Sequence, residues 1–188
     1  MKDPFFFGYG SLVNRQTHSY EYALRARVRG WRRAWRHTHG RQVPFLTGVP
    51  CESSEIDGLV AMVPNADWAS LDLREEGYQR HQVGDRLIVD ADHPVQAQIY
   101  AVPEHSVIYP EMLAPILLSY LDVVVQGYLR EFGEEGAQAF FDTTDGWDTP
   151  VRDDRAAPAY PRHTVLNAAE RRFVETRLDD LGVRIVGD

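Results

Sequence analysis

Two short segments, about sixty residues apart, hold the groups best placed to do chemistry. In Phe7-Gly8-Tyr9-Gly10-Ser11-Leu12, two glycines flank a tyrosine at the end of an apolar run. Glycine permits positive φ and lets a ligand approach the main chain closely. Successive N–H groups in such a turn form a concavity suited to a carboxylate or carbonyl oxygen. The same residues also fit an ordinary strand-to-loop turn. The dinucleotide fingerprint is missing, because no third glycine follows at the required spacing. In Leu71-Asp72-Leu73-Arg74-Glu75-Glu76-Gly77-Tyr78, a helix end would bring Asp72 onto one face with Glu75 and Glu76. Carboxylates crowded near one arginine push their pKa values apart, which is how one of them becomes a base near neutrality. A solvated, charged helix end accounts for the same residues.

Other groups are less specific. The stretch Arg25 to His39 mixes arginines with Trp31 and Trp35. It could bind single-stranded nucleic acid by charge and stacking, or lay arginine stems over apolar surface. His37 and His39 supply two potential metal ligands, with no further ligand at a recognised spacing. Tyr120 and Tyr128 lie within an apolar helical stripe, where a tyrosine can face a pocket or sit in the core with its hydroxyl satisfied. No Gly-x-Ser-x-Gly occurs, and Cys51 has no histidine partner in a known nucleophile pattern.

The elements that must position these groups follow from periodicity. Phe5 to Tyr9 reads as a buried strand ended by Gly10. Arg25 to His37 alternates, which predicts strands with one wet face. Gly58 to Val63, Leu87 to Val89 and Val95 to Val102 read as further strands. Asp67 is placed to cap a helix over Trp68–Glu76, with Gly77 as its stop. Apolar residues at helical spacing predict a long helix from Pro110 to Phe132, and a shorter one from about Glu134 to Phe141. The proline-bearing stretch Thr149–His163 reads as a long surface loop. A last helix is expected from an Asn167 cap to Leu181, stopped by Gly182. Strands first and helices later argue for an α+β chain or a small barrel with helices packed on it.

Composition narrows the function classes. The 188 residues suit one domain, and the AVILMFWYC share of 44% supports a sizeable core. A formal net charge of −8 argues against a global preference for nucleic acid. A single cysteine excludes an intramolecular disulfide and a multi-cysteine zinc site. The N-terminal apolar run stops at Phe5-Phe6-Phe7, short of the roughly 7–15 residues of a secretory signal. Apolar runs also fall short of the roughly 18 residues of a membrane span. The expectation is a cytoplasmic protein with no membrane partner.

Taken together, the two segments resemble the γ-glutamylcyclotransferase-like superfamily, including its ChaC-like and AIG2-like branches. Tyr9-Gly10-Ser11-Leu12 looks like that superfamily's Tyr-Gly-Ser loop, and Leu71-Asp72-Leu73-Arg74-Glu75 looks like the Leu-Asp-x-x-Glu that carries its glutamate. Arg74-Glu75-Glu76-Gly77-Tyr78 is similar to the ChaC Arg-Glu-x-Gly-Gly-Tyr but one residue shorter, which leaves Glu76 as an alternative to Glu75. Val28-Arg29-Gly30-Trp31-Arg32-Arg33 resembles the Val-x-Gly-x-x-Arg strand of that branch. The likeness covers about 5–130, leaving 142–188 as a C-terminal loop and helix extension of a single 1–188 domain.

The resemblance implies a small mixed β-barrel with peripheral helices and a site at its mouth. It implies that Tyr9, Gly10, Ser11 and Leu12 hold a γ-glutamyl group, that Glu75 is the catalytic acid/base, and that Tyr120 or Tyr128 faces the substrate. The reaction is attack of the substrate's own α-amino group on its γ-carbonyl, giving 5-oxoproline and a free amine. The nucleophile belongs to the substrate, so no cofactor or metal is expected. An α-amino group with a pKa of about 7.7–8.0 is mostly protonated at pH 7, so a base is needed. An apolar pocket and Asp72 are expected to raise the Glu75 pKa, and Arg74 to lower it. A rival expectation is a module on the same fold that binds a γ-glutamyl or similar carboxylate without turning it over. A third is an RNA-associated protein acting through Arg25–Arg41.

Overall fold

The structure is a computed structural model that describes residues 4–187. Its centre is a mixed eight-stranded sheet curled into a half-barrel. Five of its eight strands are β1 (Pro4–Gly8), β2 (Leu24–Thr38), β3 (Phe45–Met62) and the short edge strands β4 (Gln79–Gln82) and β5 (Leu87–Val89). They are joined by β6 (Gln96–Ala101) and the short β7 (Val107–Ile108). The order is β4-β6-β1-β3-β2-β5, with β7 attached to β2. β1 runs antiparallel to β3 and parallel to β6. Phe5, Phe6 and Phe7 are buried on both faces of this central strand, which explains an apolar run rather than an alternation.

β2 shows why alternation is informative only where one face is wet. Ala26 and Val28 are buried while Arg25, Arg27 and Arg29 point to solvent. At Gly30, φ +77, the register against β3 shifts, and beyond this bulge both faces of the strand are covered. There Trp31, Ala34 and Trp35 join the core and even Arg33 is buried. The arginines of the stretch are largely occupied within the fold. Arg27 binds Glu55 and Asp57 at 2.8 and 2.7 Å, Arg32 binds Asp145 at 2.6 Å, and Arg25 lies 3.7 Å from Glu131. His37 Nε2 lies 3.0 Å from the Ala114 carbonyl.

Among the described residues there are three α-helices, of which the first two pack on this sheet and the third packs on the second. α1 (Trp68–Arg74) is capped by Asp67, whose side chain accepts from the Ser70 N–H at 3.2 Å. Buried Leu71 fastens it to Phe6, Leu12, Ala61 and Tyr100. The long helix starts later than its periodicity predicts. Pro110 and Pro115 cannot donate to a helix, and Ile116–Leu117 form β8 instead. α2 (Leu118–Asp142) contains both expected helices: Gly133, with non-helical φ 70 and ψ −171, breaks it at the expected boundary between Phe132 and Glu134. Next, β9 (Thr144–Asp145) pairs with β2.

The stretch read as a surface loop is partly ordered by pairing. Its β10 (Val151–Arg152) lies parallel between β8 and β11 (Ile185–Val186) in a small second sheet. Between β10 and β11 lies α3 (Ala168–Asp180), with a full capping box between Asn167 and Glu170. Glu170 also receives Gln126 Nε2 at 2.9 Å, tying the cap to α2.

Candidate active site

The turn after β1 is built for close packing. Gly10 has φ −112 and ψ −132, and neither Gly8 nor Gly10 has positive φ. The glycines expected there for left-handed backbone are required for space. A Cβ on Gly10 would stand 2.9 Å from the Tyr120 hydroxyl oxygen, and one on Gly8 would stand 2.6 Å from Leu12 Cβ. Two 3₁₀ turns follow, Ser11–Val13 and Arg15–Thr17. Asn14 Nδ2 donates to the Val123 carbonyl at 2.9 Å and to Gln126 at 3.0 Å, which locks the turn to α2. Arg74 donates to the Thr17 carbonyl at 3.2 Å, which locks it to α1.

Tyr9 acts below this turn. It is buried, its hydroxyl donates to the Tyr100 carbonyl at 2.5 Å, and it accepts from the Gly48 N–H at 2.7 Å. The ring thereby bridges β3 and β6 beneath the Gly10 backbone.

Glu75 stands at the C-cap of α1, its N–H bonded to the Leu71 carbonyl at 2.9 Å. Gly77 takes φ +98 two residues later, which closes the turn and returns the chain to β4. The Glu75 side chain is 18% exposed and lines a cavity of about 200 Å³. A narrower recess of about 30 Å³ opens from the same residues toward Gly8–Leu12. Ser11, Leu46, Glu75, Tyr78 and Tyr120 line both spaces, and Tyr9, Gly10 and Leu12 line the recess.

The electrostatics set Glu75 apart from its neighbours. Burial pushes its carboxyl above the usual carboxylate range, while the Arg74 and Arg162 charges pull it back. Arg74 Nε lies 3.4 Å from Glu75 Oε1. Asp72, expected to help raise it, points elsewhere. It pairs with Arg80 at 2.9 Å and accepts from the Tyr100 hydroxyl at 2.6 Å, so its charge is absorbed there. Glu76 is largely exposed and pairs with Arg41 at 3.0 Å, outside the cavity. Burial also holds the Tyr78 and Tyr120 hydroxyls protonated well above their ordinary range. Tyr78 donates to the Leu46 carbonyl at 2.9 Å.

Tyr120 and Tyr128 part company. Tyr120 lines the cavity, with its ring against Trp35 and Tyr160. Tyr128 is fully buried and does not line it. Its hydroxyl donates to the Tyr9 and Asp57 carbonyls at 2.9 and 2.7 Å and accepts from Arg33. The expected substrate-facing role at Tyr128 therefore gives way to a core role, in which it supports the Tyr9 backbone from behind. Sequence reasoning does not single out Tyr78, Tyr160 or Arg162 as site residues. Tyr78 carries a signal in its place three residues after Glu75. Tyr160 and Arg162 carry none, because their approach depends wholly on where the proline-bearing stretch lies.

An α-carboxylate or carbonyl oxygen can meet backbone donors in this recess, with one poorly solvated carboxyl beside it. Such a carboxyl can take up or release a proton beside a ligand bound there. The sequence model of the family described as gamma-glutamyl cyclotransferase, AIG2-like, matches residues 6–119. The chain belongs to that family. Its fold is similar to a solved structure named gamma-glutamyl cyclotransferase, with 14% identity, a TM-score of 0.58, and coverage of 92% of this chain and 98% of that one. It is likewise similar to the Homo sapiens protein loc79017, with 15% identity, a TM-score of 0.60, and 93% and 99% coverage. YkqA from Bacillus subtilis matches at 16% identity and a TM-score of 0.56, over 78% of this chain and 57% of that one. A sequence search of curated proteins found no significant match. Among the described residues, no helix is long and apolar enough to cross a membrane.

Proposed function

We propose that this chain is a γ-glutamyl cyclotransferase that releases 5-oxoproline and a free amine from a γ-glutamyl amide. The observation that carries the reading is the Glu75 carboxyl, held in a cavity continuous with the Gly10-Ser11-Leu12 turn. The γ-glutamyl head lies in the cavity with its polar end at the mouth of the recess, against that backbone. The substrate α-amino nitrogen attacks the γ-carbonyl carbon, forming the ring bond, and the amide C–N bond breaks. Glu75 takes the proton from the attacking nitrogen and returns it to the leaving amine. A carboxyl whose pKa is raised by burial suits both steps better than an exposed one. Proton transfer by one positioned group contributes about 10²–10⁴-fold, and holding the chain bent for closure adds to this by proximity. Tyr78 and Tyr120 stay neutral, so they orient the substrate as hydroxyl groups without repelling its carboxylate.

The test is incubation of purified protein with glutathione, γ-glutamyl dipeptides and γ-glutamyl amines, with 5-oxoproline measured by mass spectrometry. Release by wild type and loss in Glu75→Gln is the expected result. Full activity in Glu75→Gln would remove that residue from the mechanism. Tight binding of γ-glutamyl compounds with no release by wild type would make the chain a ligand-binding module on the same fold.

A further inference from the structure

The residues beyond the family match build one wall of the cavity. Tyr160 and Arg162 both line it, although the matched region ends at 119. The segment that carries them is strapped to the start of α2. Asp154 is almost fully buried and accepts from the Ser119 N–H at 2.8 Å, the Ser119 hydroxyl at 2.6 Å and the Ala159 N–H at 2.9 Å. Arg155 grips Asp122 through two nitrogens, each at 2.8 Å. The Tyr160 N–H donates to the Ser119 hydroxyl at 3.2 Å. These bonds set the Tyr160 ring at 5.0 Å from the Tyr120 ring, edge to face.

The wall has a definite chemistry. Around the outer cavity stand Trp35, Val43, Pro44, Phe45 and Ile116, with Tyr160 opposite. Arg162 is the cation on the rim from this strap, and its charge reaches the Glu75 carboxyl. Among the described residues no carboxylate pairs with it. A leaving group in this space meets apolar and aromatic walls and two arginines, of which Arg74 is already engaged by Thr17 and Glu75 while Arg162 stands on the rim. An arginine fork favours a carboxylate and repels a second ammonium.

We infer that Tyr160 and Arg162 form the leaving-group subsite, and that it takes an α-amino acid with a large apolar side chain and a free carboxylate. This deepens the cyclotransferase reading and rests on it. The side chain lies among Phe45, Ile116 and Tyr160, and the carboxylate faces Arg162. The γ-glutamyl head points toward the recess at Gly10, deeper than the leaving group. Amines with a cationic tail are disfavoured, because Arg162 stands where the tail would go.

The experiment compares γ-glutamyl-phenylalanine, its C-terminal amide and γ-glutamyl-glycine as substrates of wild type, Arg162→Ala and Tyr160→Ala. In wild type, kcat/KM for γ-glutamyl-phenylalanine exceeds each of the others by about tenfold, as for one charge-assisted contact or one apolar side chain. Arg162→Ala lowers the acid by about tenfold and the amide by less than about twofold, since the amide has nothing for Arg162 to bind. Tyr160→Ala brings γ-glutamyl-phenylalanine toward the glycine compound. Equal losses for acid and amide in Arg162→Ala overturn the inference while leaving the cyclotransferase reading intact. Binding of the three compounds to Glu75→Gln is measured by calorimetry alongside. If wild type turns over nothing but Glu75→Gln binds the acid about tenfold tighter than the amide, the reaction falls and the subsite stands. If it binds none of them, both fall.

Discussion

Asp154→Ala tests whether a single remote carboxylate holds both α2 and one wall of the cavity. α2 begins at Leu118 with Leu117 as its N-cap, and no side chain from its own N-terminus caps it. Asp154 supplies the missing cap from 35 residues away, taking the Ser119 N–H and hydroxyl together, and adds the Ala159 N–H of its own segment. Hydrogen bonds to a charged group are worth about 1.5–3 kcal/mol each, and a carboxylate at a helix N-terminus gains about 0.3–1 kcal/mol more. The full sum is not lost, because the strap is at the surface and its freed donors can reach water once it lifts. A loss of about 3 kcal/mol is therefore expected, equal to a drop in Tm of roughly 6–12 °C for a chain of this size. Burial opposes ionisation of Asp154, yet the Ser119 and Ala159 donors outweigh it and hold its pKa below the ordinary value. A depressed pKa contributes stability above the unfolded value of about 3.9 and loses it as pH falls through the folded value. The Asp154→Ala deficit is thus full at pH 7 and shrinks in acid. Differential scanning calorimetry across pH reads it, and the kinetics with γ-glutamyl-phenylalanine read the lost wall. A variant with wild-type Tm and wild-type kcat/KM would refute the reasoning.

Three further outcomes are expected. Glu75→Gln loses 5-oxoproline release by about 10²–10⁴-fold and gains thermal stability at neutral pH. The sign follows from its raised pKa: Glu75 adds stability below the unfolded value of about 4.3 and loses it as pH rises through the folded value, so ionised Glu75 is a cost that Gln removes. A Tm advantage that persists unchanged at pH 3 would contradict this. Gly10→Ala loses activity, because the new Cβ meets the Tyr120 oxygen at 2.9 Å, and Tyr120→Phe in the same chain recovers part of the lost stability by removing that oxygen; equal Tm values for the single and double variants would dispose of the clash. Arg33→Met destabilises by about 1–3 kcal/mol in chemical denaturation, because it leaves the Asp57 carbonyl and the Tyr128 hydroxyl without their buried donor, while β2 itself remains paired; a midpoint equal to wild type would show that those groups find other partners.

Much of the site was legible in the chain because its chemistry is carried by short segments. The Phe5–Phe7 run, the Asp67 cap and the Asn167 cap each state a local geometry in neighbouring residues, and each forms as read; α1 ends at Arg74, two residues before the expected Glu76, and Gly77 closes the turn after it. Glu75 was separable from Glu76 only to within one residue, since both fit the motif. Rotation by one position past the end of α1 turns one carboxyl into the cavity and leaves the other with Arg41 in solvent.

Tyr120 and Tyr128 mark the boundary between the two kinds of information. Both follow from the same apolar periodicity, and the sequence by itself determined that they lie on one helix packed against a sheet. It also determined the strand alternation of Ala26 and Val28 and the order of the strands and helices it read, but not β4 or the 45–57 part of β3. Only the tertiary structure decided that Tyr128 meets Arg33 and the Tyr9 carbonyl while Tyr120 meets an open space. It likewise turned the first predicted turns of α2 into β8, by pairing them with β10, and folded Asp154, Tyr160 and Arg162 back onto that helix. The physical reason is range. Caps, turns and periodicity are set by bonds between residues a few positions apart, whereas a cavity wall is set by which distant segments compete to cover the same surface.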